Sequence, residues 1–178
     1  RFGLPMRDLI MLQPRFERRS GRRALRMLEH PKFRAAYATE QDAVAQAHAN
    51  VRPVRTAFGA PEIAGPVDAI ITVQNYHDMH LKPFPADTAA KANAKLFSML
   101  KRGGTLVVID HVAATGSGLE AANALHRIDP AIVRQELEEA GFRFDGELDT
   151  WRNPTDPHTA SAFDASMRGK TDQFAYRF

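Results

Sequence analysis

Two short stretches of this 178-residue chain concentrate side chains able to move protons or hold a ligand. The first is Gln74-Asn75-Tyr76-His77-Asp78, with His80 close behind; the second is Asp110-His111. Imidazoles and carboxylates so grouped suit general acid–base work, for which His77, Asp78 and His111 are the candidates. The same groups also suit a plainer role, with Asp78 and Asp110 bonding loop backbone and the histidines partly exposed. A metal reading draws on His77, His80, Asp110 and His111 as nitrogen and oxygen ligands for a metal-assisted hydrolase. No H-E-x-x-H spacing is present to strengthen it. Thr115-Gly116-Ser117-Gly118 is a weak phosphate-loop signal, lacking both the Lys-Ser/Thr of a P-loop and a G-x-G-x-x-G turn, and reads better as a flexible loop. A third polar cluster, His126-Arg127-Ile128-Asp129, stands just before a helix.

The elements that must position these groups are legible from apolar patterning. Val67–Val73 (VDAIITV) is a nearly continuous apolar run, as expected of a strand buried on both faces. Thr105–Asp110 (TLVVID) is a second. Each ends at a polar cluster, and in an open α/β sheet ligands bind beyond the carboxyl ends of the strands. If the two strands are neighbours, the clusters face one crevice. Between them, Asn93, Leu96, Phe97 and Leu100 follow helical spacing, with Asp87 as a possible N-cap and Gly103 as the residue past the end. Asp129-Pro130 is an N-cap followed by proline at the first helical position, and Gly141 closes that helix. Phe142–Leu148 and Gln173–Phe178 read as closing strands. Val51–Phe58 reads as a strand or strand edge. Trp151 and Asn153–His158 read as a loop on the sheet edge. Strands alternating with helices predict a three-layer α/β domain with a mainly parallel sheet and crossover helices on both faces.

Charge divides the chain. Residues 1–37 hold ten Lys and Arg against three acids, whereas the other 141 residues hold 14 basic and 18 acidic groups. The basic part reads as helical: Met6, Leu9, Ile10 and Gln13 share a face, Pro14 interrupts, Arg22–Leu28 forms a second short helix and Lys32 to about His48 a third. Such an arm suits a nucleic-acid partner, with Arg18, Arg19, Arg22 and Arg23 as the candidate RNA contacts. The chain has no cysteine, which excludes disulfides, thiolate metal sites and a cysteine nucleophile. It has no apolar run long enough to span a bilayer. With no secretory signal at its start either, a cytoplasmic location without membrane contact is expected.

Two resemblances cover different parts. Residues 38–178 resemble the C-terminal part of a bacterial class I S-adenosylmethionine-dependent methyltransferase family. The residues that carry it are VDAIITVQNYHDMH (67–80), LKRGGTLVVIDHVAATGSGL (100–119), LHRIDPAIVRQELEEAGFRFDGE (125–147), NPTDPHT (153–159) and RGKTDQFAYRF (168–178). Residues 1–37, with LQPRFERRSGRR and LEHPKFRAAY, are similar to the basic C-terminal region of bacterial poly(A) polymerases. That region is thought to help hold RNA. The polymerase's catalytic carboxylates and glycine-serine turn are absent, so no nucleotidyl transfer is carried over. The charge division falls where the resemblances meet, near Tyr37-Ala38, which makes the chain a chimera of two fragments.

The methyltransferase resemblance implies S-adenosylmethionine as cofactor and an unspecified methyl acceptor as substrate. It places Gln74, Asn75 and Tyr76 by the methionine end of the cofactor, and His77, Asp78 and His111 by the substrate. That family holds its cofactor on a glycine-rich turn after strand 1 and on an acid at the end of strand 2. Neither occurs here, so loss of cofactor binding is expected. The family strand order, 3-2-1-4-5-7-6, leaves a truncated Rossmann-like sheet of about five strands, the last antiparallel, behind a basic helical arm. Val67–Val73 loses its neighbour, and Val51–Phe58 is expected to shift across and pair with it.

Overall fold

The computed structural model describes residues 9–12, 42–52, 54, 60, 61, 63 and 66–178. The chain forms β1 (Leu9–Leu12), a helical stretch α1 (residues 42–47), β2 (Val67–Val73), a 3-10 turn (His77–His80), α2 (Thr88–Met99), β3 (Leu100–His111), α3 (Glu120–Leu125), α4 (Pro130–Glu139), β4 (Gly146–Glu147) and β5 (Gln173–Arg177). One five-stranded sheet runs in the order β1-β2-β3-β5-β4.

The two apolar runs are indeed neighbours. β2 pairs parallel with β3, Ile70 opposite Leu106 and Val73 opposite Ile109. The register shifts between Val67 and Ala69, where Gly104 lets the two backbones close in. A Cβ there would sit 2.9 Å from the Lys101 carbonyl oxygen and 3.1 Å from that of Asp68. β5 lies antiparallel beside β3, and β4 pairs antiparallel with β5. The expected half-sheet with its antiparallel last strand is therefore present. β3 is longer than the sequence pattern suggests, because helix α2 ends at Met99 and Leu100 is already extended. Gly103 accordingly stands inside β3 with φ +77 and does not close the helix. Asp87 makes no side-chain cap and pairs instead with Lys91 one turn on. Of Phe142–Leu148 only Gly146–Glu147 forms a strand.

α4 starts as its sequence dictates. Asp129 accepts from the Ala131 amide and Pro130 takes the first turn. One sheet face carries the main core, in which Ile70, Leu106, Val108 and Phe174 meet Ala92 and Leu96 of α2 and Val133 and Leu137 of α4. The other face carries a smaller cluster of Val107, Ile109 and Ala175, with Ile71, Val73 and Leu148 packed against it.

The edge of β2 is covered, though not as expected. β1 pairs with it in parallel, Leu9 opposite Ala69 through Leu12 opposite Thr72. Leu9–Leu12 is thus strand where helical spacing suggested helix. Val51, Arg52 and Val54 lie in no strand and are exposed, so the expected shift of Val51–Phe58 does not occur at those residues. The rest of that segment, and the remainder of the basic arm with Arg18, Arg19, Arg22 and Arg23, lies outside the described residues. A lone strand edge must find donors and acceptors, and a four-residue apolar segment supplies them through backbone alone.

Proline placed singly at Ile10 and at Met11 tests this pairing. Successive amides of a parallel strand alternate in direction, so one of the two substitutions must remove a ladder bond. At least one variant is expected to lose about 1–2 kcal/mol, a fall of roughly 2–8 °C in Tm. Both variants melting with the parent would exclude β1 from the sheet.

Candidate functional site

The site forms where β2 and β3 end. Asp110, fully buried, accepts from the His77 amide through Oδ2 (2.9 Å) and lies 2.8 Å from His77 Nδ1 through Oδ1. Its Oδ1 also accepts from the His111 amide at 2.7 Å. The far imidazole nitrogen, His77 Nε2, lies 3.2 Å from Asp78 Oδ1 as an ion-pair contact. His77 and Asp78, named from sequence, are therefore brought together and both buried. His111 stands beside them, its ring centroid 6.1 Å from that of His77 and its Nδ1 2.8 Å from Thr171 Oγ1.

One member was not foreseen as part of this group. His126 follows α3 in a left-handed conformation (φ 53, ψ 51) and stacks edge-on to His77 at 5.5 Å. It is carried there by a backbone bridge, in which the Ile128 amide donates to the His111 carbonyl and the Ala113 amide to the Ile128 carbonyl. The polar cluster at 126–129 was visible in sequence, but nothing local set its direction.

The other candidates divide. Gln74 is exposed with φ +55 and donates to Gln173 Oε1 at 3.2 Å. Asn75 is buried, its Oδ1 accepting from the Thr72 hydroxyl. Tyr76 is buried, donating to Glu136 Oε2 (2.8 Å) and accepting from Asn93 Nδ2 (2.7 Å). His80 points away to Glu136 Oε2 at 3.1 Å. The metal set read from sequence is thus not assembled: His77 Nδ1 is committed to Asp110, His80 to Glu136 and His111 Nδ1 to Thr171. The glycine loop is a turn held by the helix cap, since the Gly116 amide donates to Asp129 Oδ2 at 2.7 Å.

Electrostatics separate the histidines. Burial alone would drive His77 neutral, but the Asp110 carboxylate, then Asp78, overcomes it and holds the imidazole at about 10. Burial opposes the charge on Asp110 too, yet His77 keeps its carboxyl below the usual range. Burial pushes Asp78 up, against the pull of His77. His111 is lowered to about 4 by burial and by the charges of His77 and Arg127, against the opposing pull of Asp110. His126 is lowered to about 4 by burial and by the cationic His77. At neutral pH one imidazolium therefore stands among two neutral imidazoles and two acids.

The wall behind is a second buried ion pair. Arg127 and Asp156 are fully buried at the side chain and joined by two bonds, of 2.8 and 3.1 Å. Arg127 also donates to the carbonyls of Val112 and Ala160. Asp156 accepts from the amides of His158 and Asp172, and Asp172 from Arg152, His158 and the Asn153 amide. This ties the loop after Trp151 to the sheet edge.

Comparison with known proteins bears on each part. Residues 1–51 match the family model described as Polymerase A arginine-rich C-terminus. Poly(A) polymerase I of Escherichia coli is 64% identical over 31 residues, which is 17% of this chain and 7% of the polymerase. The fold matches an S-adenosylmethionine-dependent methyltransferase from Clostridium acetobutylicum (TM-score 0.52, 10% identity, 79% of this chain and 69% of that one). It also matches the glycopeptide N-methyltransferase MtfA complexed with S-adenosylmethionine (TM-score 0.52, 11% identity, 83% and 68%). The fold is the Rossmann-like methyltransferase fold. The chain spans 7% of the polymerase's length and about two thirds of the length of these two structures. Among the described residues no helix is long and apolar enough to cross a membrane.

Two outcomes follow for the wall. Arg127→Met leaves Asp156 charged and buried, and is expected to cost about 3–5 kcal/mol in urea unfolding. Acid should act through the same loop. Burial opposes ionisation of Asp156 and Asp172, but their Arg and amide donors hold both carboxyls below the usual range. Folded-state values below the unfolded one, about 3.9, give stability that is present above it and lost as pH falls through the folded values. Unfolding free energy should therefore drop below about pH 4, less steeply in Asp156→Asn. Equal slopes in the two proteins would remove Asp156 from the account.

Proposed function

We propose that the chain joins a polymerase fragment, which the family match carries through residue 51 and so past the expected junction near Tyr37-Ala38, to the substrate-side part of an S-adenosylmethionine-dependent methyltransferase domain, and that it does not hold the cofactor. The observation that carries this reading is the identity of β1. It lies beside β2, in the place of the family's first strand, and the residues that follow it are Gln13-Pro14-Arg15-Phe16. A cofactor turn there needs glycines so that backbone amides can approach the ligand closely. Three side chains and a proline ring stand in their stead. MtfA, of similar fold, is complexed with S-adenosylmethionine, which supports that molecule as the cofactor of the parent domain.

Gln74, Asn75 and Tyr76 follow β2 and would border the methionine end. Gln74 is the exposed one of the three, bonded only to Gln173 through its side chain, whereas Asn75 is buried against Thr72 and Tyr76 is held between Glu136 and Asn93. His77, Asp78 and His111 would face the methyl acceptor. His111 is neutral at pH 7, but with its value lowered to about 4 it is a weak base and serves better to position the acceptor than to take its proton. Methyl transfer depends mainly on positioning, so losing the cofactor cradle should abolish activity. Calorimetry of the full chain with S-adenosylmethionine is expected to show no binding heat, and micromolar affinity would overturn the proposal.

A second reading is favoured by the match of residues 1–51 to the arginine-rich polymerase C-terminus. β1 runs parallel to β2, so the chain leaves it at the edge that carries the histidine cluster, and Arg18, Arg19, Arg22 and Arg23 follow within eleven residues of Leu12. RNA held by these arginines would bind through phosphates without sequence preference. Affinity for a single-stranded RNA should fall steeply from 50 to 200 mM salt and mostly vanish when the four are replaced by Ala. Binding indifferent to both changes would sink the RNA reading.

A further inference from the structure

His77, Asp78 and His126 each offer one ligand atom, and these atoms lie within 4.8 Å of one another. Two further observations point to a ligand among them. Asp78, only 1% exposed at its side chain, has its Oδ2 buried without a partner, and its Oδ1 meets only the His77 Nε2 ion-pair contact. His126 Nδ1 is likewise buried without a partner. An unsatisfied buried polar group costs about 1–3 kcal/mol, and more when charged. Three convergent groups, two of them carrying orphaned atoms, are therefore costly to maintain unless something else joins them.

We propose that His77, Asp78 and His126 form a binding site for a divalent first-row transition metal. The donor set is two imidazole nitrogens and one carboxylate, which suits Zn2+ and its neighbours better than Mg2+ or Ca2+. Its second shell is already built. Asp110 holds His77 Nδ1 at 2.8 Å, so Nε2 is the nitrogen turned to Asp78, and a carboxylate behind a ligating histidine is the usual arrangement. In tetrahedral coordination, bonds of about 2.0–2.2 Å would set ligand atoms roughly 3.3–3.6 Å apart. The His77–Asp78 contact of 3.2 Å is near that spacing, and separations of up to 4.8 Å close with side-chain adjustments of at most about 1.5 Å. Metal binding would displace the proton from His77 Nε2 to solvent. Three protein ligands leave the remaining positions to water or to an oxygen of a substrate. The proposal stands apart from the cofactor reading, because none of these residues belongs to the missing turn.

The test uses the untagged full chain, stripped of metal, with Zn2+ by calorimetry and Co2+ by its visible absorption. One equivalent of each is expected to bind, Co2+ with the intense bands of a low-symmetry site. His126→Asn is the decisive variant, because asparagine tolerates the left-handed conformation at that position. It and Asp78→Asn should weaken Zn2+ by at least the 10–100-fold that loss of an outer-shell partner costs. His80→Gln and His111→Asn should leave the affinity within about threefold, which separates this site from the other histidines of the region. Circular dichroism on each variant shows whether the fold persists, and should Asp78→Asn not fold, His126→Asn decides. Failure of the parent chain to bind one equivalent of either ion would overturn the proposal. So would binding unchanged in His126→Asn, or binding lost in His111→Asn and retained in His126→Asn.

Discussion

The Asp110 carboxylate fixes the geometry of the whole carboxyl edge. Its two oxygens accept from the His77 amide, the His77 ring and the His111 amide. β2 and β3 are parallel, so their ends cannot be joined by a tight turn; this side chain joins them instead. With the His77 amide anchored, the chain after β2 winds into one turn of 3-10 helix. That turn presents Asp78 inward and brings His80 to Glu136 on α4, where Tyr76 also lands. A neutral residue at 110 would leave a buried imidazole without its counter-charge, and the neutral form would prevail. The cluster's charge state thus rests chiefly on one carboxylate, with Asp78 as the lesser support.

A second pair closes the edge from the opposite side. His126 and Arg127 are adjacent, yet one ring meets His77 and Phe163 while the other side chain meets Asp156. The left-handed residue after α3 makes this division possible, since it turns the chain out of the helix and into the bridge with β3. Buried pairs of this kind seldom add net stability over apolar packing. Their value here is positional: Arg127 holds the carbonyls of Val112 and Ala160 together with Asp156, which fixes where His126 can sit. The apolar core beneath, from Ile70 to Phe174, supplies the burial that such a polar layer cannot.

Sequence patterning is read most easily where one residue type has one use. VDAIITV and TLVVID are strands because β-branched runs of that length fit a buried pleated surface and little else. Asp129-Pro130 opens α4 because cap and proline chemistry are local. Leu9–Leu12 is harder, since four consecutive apolar residues satisfy helical and extended patterns alike, and the open edge of β2 decides between them. Asp78 has the look of a loop residue bonding nearby amides, and its burial beside His77 brings it close to a group forty-eight positions away at His126. Arg127 is buried by its pair with Asp156, twenty-nine positions away, and its own neighbours in sequence do not signal this. Such long-range placements depend on the bridge between Val112 and Ile128, which no local pattern encodes.

The joining of two dissimilar pieces is physically unremarkable at the level of the sheet. Ladder hydrogen bonds are made by backbone, so the vacant side of β2 accepts any extended apolar segment of the right length. Leu9–Leu12 meets that requirement with four residues in register against Ala69–Thr72. What a strand contributes to chemistry lies in the turn that follows it, and there backbone no longer suffices. A glycine-rich turn admits a ligand because it lacks side chains, whereas the sequence after Leu12 reads Gln13-Pro14-Arg15 and has no glycine until Gly21. Sheet completion and cofactor capture are therefore separable demands. The sheet is completed by backbone that is indifferent to its origin, while the ends of β2 and β3 bring His77, Asp78, His111 and His126 together.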